Sequence, residues 1–159
     1  MKKILQKDAK VLRQVATEIK IADIKTPKIK KILKEMSASL AFESDGVAIA
    51  APQIGYSLRI FVVSGKIFHR DFGKTEEEIL NENNLVGAPK EQEVTKDVVF
   101  INPVISKLSQ KKEWVPEGCL SVRPIYGRTY RSLKTTITAY DENGKKFIRG
   151  GSGLLAQIF

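Results

Sequence analysis

Two polar side chains in this sequence lie where chemistry could be done. Cys119 sits in Trp114-Val115-Pro116-Glu117-Gly118-Cys119-Leu120-Ser121-Val122, where proline and glycine bend the backbone around it. A thiolate is a nucleophile or a soft metal ligand, but it needs a base or further ligands, and no histidine is nearby in sequence. A lone cysteine otherwise packs as a small hydrophobe, so residue type alone leaves both readings open. Gln53 closes the run Gly46-Val47-Ala48-Ile49-Ala50-Ala51-Pro52-Gln53. Its carboxamide can aim two N–H donors at a developing oxyanion, or it can satisfy the carbonyls of its own turn. His69, the one histidine, has no cysteine or carboxylate at ligand spacing in Phe68-His69-Arg70-Asp71 and reads as a surface residue.

The elements that must hold these residues are legible from pattern. Thr26 is an N-cap with Pro27 at the first helical position, and Ile29, Ile32, Leu33, Met36 and Leu40 recur at helical spacing up to about Phe42. Lysines 28, 30, 31 and 34 fall mostly on the opposite face. A shorter helical piece is expected over Ala9 to Thr17. Leu58 to Ser64 reads as a buried strand, and Val98 to Ile101 as another that stops at Asn102-Pro103, with Val104 to Ser106 continuing at an edge. Between them, Asp71 to Lys96 reads as a long surface excursion. Asn143-Gly144 predicts a two-residue hairpin turn that sets Glu142 opposite Lys145, Asp141 opposite Lys146 and Tyr140 opposite Phe147. Leu154 to Phe159 starts an apolar helix that is less than two turns long when the sequence stops.

Composition bounds the answer. The 159 residues suit one domain, 1–159, with 42% hydrophobic and 28% charged residues, an ordinary globular mixture. No apolar run approaches the roughly 18 residues of a membrane span, and the N-terminus lacks the apolar stretch of a secretory signal, so a cytoplasmic location and no membrane partner are expected. One cysteine closes no internal disulfide. The net charge of +9 is uneven: residues 1–40 hold 11 basic and 4 acidic side chains, and residues 71–96 hold 3 basic and 7 acidic. A basic third can attract a ribosome or nucleic acid, although no stretch interleaves aromatics with lysines as a base-stacking surface would, and no specific nucleic-acid sequence is expected as a partner.

Taken together, the segments carry a resemblance. Gly46 to Gln53 resembles G-x-G-x-A-A-x-Q, the first motif of peptide deformylases, and Glu117-Gly118-Cys119-Leu120-Ser121 matches their second, E-G-C-L-S, letter for letter. Val11-Leu12-Arg13, Ile101-Asn102-Pro103 and the Asn143-Gly144 hairpin agree as flanks, and Gly153-Leu154-Leu155-Ala156 looks like the lead-in to the third motif. That motif, Q-H-E-x-D-H, is not in this sequence, and the resemblance implies a chain cut short before it. The implied fold is α+β, peptide-deformylase-like, with antiparallel strands around a central helix that is truncated here.

The resemblance implies metal-dependent hydrolysis of the formyl group from N-terminal formyl-methionine of nascent polypeptides, releasing formate. Cys119 would be a metal ligand, with Fe2+ expected and Zn2+, Ni2+ or Co2+ able to substitute. Gln53 and the backbone N–H of Leu120 would polarise the formyl carbonyl. Gly46, Val47, Ala48 and Leu154 would contact substrate, and Glu117 and Gly118 would support the cysteine turn. Ala48 stands where the family more often has glycine, which is harmless if its φ is negative. Lacking both histidines and the glutamate between them, these residues alone are expected to bind metal weakly and to be inactive. The alternative is a catalytically dead relic that binds formylated peptide or the ribosome.

Overall fold

The computed structural model describes residues 1–69, 72 and 95–159. The expected surface excursion over 71–96 lies almost wholly outside the described residues. Helix α1 spans Pro27–Phe42, and the Thr26 side chain accepts from the Ile29 N–H at 3.5 Å, capping it as expected. Ile29, Ile32, Leu33, Met36 and Leu40 are buried, while lysines 28, 30, 31 and 34 are exposed. The expected helical piece over Ala9 to Thr17 is only a single 3-10 turn, Lys10–Arg13, with no buried residue to reward a longer helix.

After α1 come β1 (Ala48–Ala50), β2 (Ile60–Val63), β3 (Val98–Leu108), β4 (Lys112–Gly118), β5 (Tyr126–Ser132), β6 (Lys134–Tyr140) and β7 (Lys146–Ser152). All pairings are antiparallel, forming a five-stranded sheet in the order β1-β2-β3-β6-β7 and a separate β4–β5 ribbon. Helix α2, Leu154–Ile158, follows β7.

Strands β2 and β3 are apolar on both faces because each face has its own core. Ile60, Val62, Val99 and Ile101 join Ile49 and the buried stripe of α1. Val63 and Phe100, with the partly buried Phe61, belong to a second cluster that also takes Ile137, Ala139, Phe147, Leu155, Ile158 and Phe159. Phe61 stacks on Phe100 at 4.5 Å between centroids, and Phe147 and Phe159 each tilt against Phe100 at 5.4 Å.

Two backbone irregularities shape these strands. As expected, the ladder of β3 to β2 ends at Ile101, just before Asn102-Pro103, and Val104 onward continues as an edge paired to β6, reaching Leu108 after a register shift between Ile101 and Val104. Pro103 falls in that bulge, where no ladder hydrogen is needed from it. Asn102 takes φ 50° at the bulge, and its side chain is held by the Ile19 backbone, accepting at 2.9 Å and donating at 2.7 Å. The β6–β7 hairpin is one residue out of the expected register, with Tyr140 opposite Lys146 and Ala139 opposite Phe147. Asp141 Oδ1 accepts from the backbone N–H groups of both Asn143 and Lys145, and Gly144 adopts φ 76°, which makes a three-residue loop. Glu142 is thereby released to pair with Lys96 at 2.6 Å.

Where the chain returns to the sheet, it lies directly on Gly65. A Cβ there would come within 1.7 Å of the Thr95 carbonyl oxygen, and the Gly65 N–H donates to Asp97 Oδ1 at 3.0 Å.

Phe100 is fully buried among three other rings. Phe100→Ala is expected to lower stability by about 3–5 kcal/mol, read as a fall in the urea unfolding midpoint. A loss below about 1 kcal/mol would show that the second core closes without this ring.

Candidate active site

The 3-10 turn Ala51–Ile54 follows β1 and ends at Gly55, whose φ is 91°. This turn orients Gln53. Its Oε1 accepts from the Ala50 N–H at 2.8 Å, which leaves the amide nitrogen facing the second motif. Gln53 Nε2 donates to Ser121 Oγ at 3.1 Å and lies 3.8 Å from Cys119 Sγ. The Gln53 oxygen thus takes an N–H of its own turn, rather than its amide satisfying turn carbonyls, while its nitrogen points across to Cys119 and Ser121.

Strand β4 and the turn after it deliver the other wall. Cys119 is exposed just after β4, so the reading of a small buried hydrophobe is wrong for it: no residue of the β4–β5 ribbon belongs to either core. His69 is half-buried at the end of the 3-10 turn Gly65–Phe68, rather than on the surface as expected. It is not among the residues lining the cleft described next.

A cleft of about 580 Å³ opens between the two motifs. Gly46, Val47, Ala48 and Gln53 line it from one side, Glu117, Gly118, Cys119 and Leu120 from the other, and Leu154 from α2. All nine residues singled out from sequence are thus brought to one place. Asn102 is the only described non-glycine residue with positive φ, so the methyl group of Ala48 sits on ordinary strand backbone.

Several residues that build the cleft were not visible in sequence. Glu117 is held across the ribbon by Arg131, with Arg131 Nε at 2.5 Å and Nη2 at 3.0 Å from the two carboxylate oxygens. Arg123 bridges the two lips, donating to Glu43 at 3.1 Å and to Asp45 at 2.5 Å. Gln157 Nε2 donates to the Pro116 carbonyl at 3.2 Å, and Gln6 Nε2 to the Leu120 carbonyl at 3.2 Å. Each of these contacts joins residues far apart in the chain, and only strand register or tertiary packing reveals them. The Arg131 guanidinium holds the Glu117 carboxyl below its usual range, and Arg123 does the same for Asp45.

Chemically, the cleft sets the Gln53 carboxamide donor beside a thiol, an arrangement able to polarise a carbonyl. Cys119 offers one soft donor for a divalent metal. Among the described residues no group of three or more His, Cys, Asp or Glu side chains is placed to hold an ion. On their own they do not fit the group, and no chemical step passes through it here.

The fold is an α+β domain with two antiparallel sheets and a cleft lined by two sequence motifs, and comparison with known proteins identifies its family. The family model for polypeptide deformylase matches residues 1–159. Peptide deformylase 2 of Clostridium acetobutylicum is 30% identical over 159 residues, covering 100% of this chain and 85% of the relative. The chloroplastic and mitochondrial peptide deformylase 1A of Arabidopsis thaliana is 32% identical over 148 residues, 93% of this chain and 51% of the relative. A class I type b peptide deformylase from Acinetobacter baumannii shares the fold with a TM-score of 0.76 at 21% identity, over 99% of this chain and 88% of that one. The chain belongs to the polypeptide deformylase family. It spans about half the length of the Arabidopsis relative.

The Glu117–Arg131 pair carries a pH signature. Because the folded carboxyl titrates below its ordinary value of 4.5, the stability the pair contributes is whole above that value. It is lost as the pH falls through the depressed folded value. Urea midpoints of the protein and of Glu117→Gln should therefore differ at neutral pH and converge as the pH falls through the depressed folded value. An equal difference at both would show that the carboxylate charge is not what holds Arg131.

Proposed function

We propose that residues 1–159 are a single peptide-deformylase-like domain that binds formyl-methionyl nascent peptides in the cytoplasm and that, completed by a Q-H-E-x-D-H segment, hydrolyses them to free formate. The observation that carries this reading is the orientation of Gln53, anchored through Oε1 at Ala50 and turned through Nε2 towards Cys119 and Ser121. In formamide hydrolysis, water adds to the formyl carbon, the carbonyl oxygen takes up negative charge, and the C–N bond breaks as the amine gains a proton. Gln53 Nε2 and the Leu120 N–H are the donors assigned to that oxygen, and they act most strongly where water is excluded. Gly46, Val47, Ala48 and Leu154 are assigned to the peptide and its methionine side chain. Glu117 and Gly118 hold the cysteine turn, Glu117 through Arg131.

Family members are in general metal-dependent. Cys119 is the residue of this chain assigned towards a divalent metal, Fe2+ by the resemblance, with Zn2+, Ni2+ or Co2+ as substitutes. His69 is not in the cleft, and among the described residues no second His, Cys, Asp or Glu group joins Cys119 to complete a metal site. The exposed lysines of α1 suit a ribosomal contact.

A 159-residue polypeptide is expected to bind a formyl-methionyl tripeptide, to carry less than one metal per chain, and to release no formate. The same residues followed by a Q-H-E-x-D-H segment are expected to release formate, and Gln53→Ala in that form to do so about 100- to 1,000-fold more slowly. Intact mass, metal content and formate release measured on one sample check this. Peptide binding without formate from the extended form would leave the binding relic instead. Formate from the 159 residues alone would overturn the assignment of the metal ligands.

A further inference from the structure

The β4–β5 ribbon carries a strip of side chains that starts inside the cleft and ends well outside it. The register pairs Gly118 with Tyr126, Pro116 with Arg128, and Trp114 with Tyr130, and residues two apart on a strand share a face. Gly118, Pro116 and Tyr126 line the cleft. The Tyr126 ring lies over Gly118 so closely that a Cβ there would come within 2.7 Å of it. At the far end Trp114 and Tyr130 are paired at 5.7 Å between centroids, 61% and 54% exposed, and outside the cleft. From Gly118 to Trp114 the strip is roughly 14 Å, or about four residues of extended chain at ~3.4 Å each.

We propose that this strip is a track for the part of a peptide substrate downstream of its first three residues, and that it favours aromatic or other apolar side chains there. The proposal rests on the reading that the cleft takes a formyl-methionyl peptide. The strip's continuity with the cleft identifies the occupant, since a chain bound between the two motifs and leaving past Tyr126 meets Arg128 and then the Trp114–Tyr130 pair. Single-stranded RNA is the competing occupant, because β5 interleaves Tyr126 and Tyr130 with Arg128 and the ribbon sets Trp114 beside them. Arg128 speaks against it: the guanidinium is turned back onto the ribbon, donating to the Trp114 carbonyl at 3.0 Å, and its stem becomes part of the apolar surface.

Trp114 is the only tryptophan in the chain, so its fluorescence reports on the far end of the track. Two ligands are compared on the unaltered protein: a formyl-methionyl tripeptide, and a heptapeptide with the same first three residues and aromatics at positions five and six. The heptapeptide is expected to bind about tenfold more tightly and to shift Trp114 emission. Tyr130→Ala is expected to abolish the advantage of length. Equal affinity for the two peptides, with unmoved emission, would overturn the track and leave the proposed function standing. Failure to bind either peptide would overturn both. Emission that responds to an oligouridine but not to the heptapeptide would overturn the track in favour of an RNA surface.

Discussion

Phe61 and Phe100 stack face to face on the side of the central strands that looks away from α1. Their neighbours Ile60, Val62, Val99 and Ile101 point the other way, into the helix-side core. Side chains alternate strictly along a strand, so a slip of one residue in either β2 or β3 would exchange these two sets and fill neither core correctly. The register of β2 on β3 therefore fixes where β1 ends and where the 3-10 turn bearing Gln53 begins. The second core also seats α2, whose Leu154 closes one end of the cleft. The geometry of the site thus follows from how two short strands divide their apolar residues.

The cleft has two layers of support. Within it, Gln53 is aligned by a backbone hydrogen bond three residues away, which takes little tertiary help. Around it, ion pairs of large sequence separation set the width: Arg123 ties the turn after Cys119 to Glu43 and Asp45, and Arg131 ties Glu117 to the neighbouring strand. These pairs are partly exposed and add little stability. Their effect is to hold the lips and the cysteine turn in place.

What could be read from sequence depended on range. Helix α1 was legible in full because its cap, its proline and its stripe are local features. Eight of the nine candidate residues were legible because two short motifs carry them, and Leu154 because it lies in the lead-in to a third, although spacing alone could not bring these segments together. The proline made the break of β3 at Asn102-Pro103 and its continuation at an edge legible, but not the bulge conformation of Asn102, which is fixed by the backbone of Ile19, 83 residues away. The hairpin register failed. Charge pairing favoured a two-residue turn, but the Asp141 carboxylate accepts two backbone N–H groups, and those bonds outweigh exposed ion pairs. Trp114 and Tyr130 lie 16 positions apart, and only the ribbon's register makes them neighbours.

The contact of Gly65 with Thr95 and Asp97 bears on how this chain could change over evolutionary time. It pins the two ends of the intervening stretch to one spot beside the sheet, so the strands on either side are registered independently of how many residues lie between. Any side chain at residue 65 would displace the returning backbone, so this position is closed to substitution while the contact with Thr95 and Asp97 is kept.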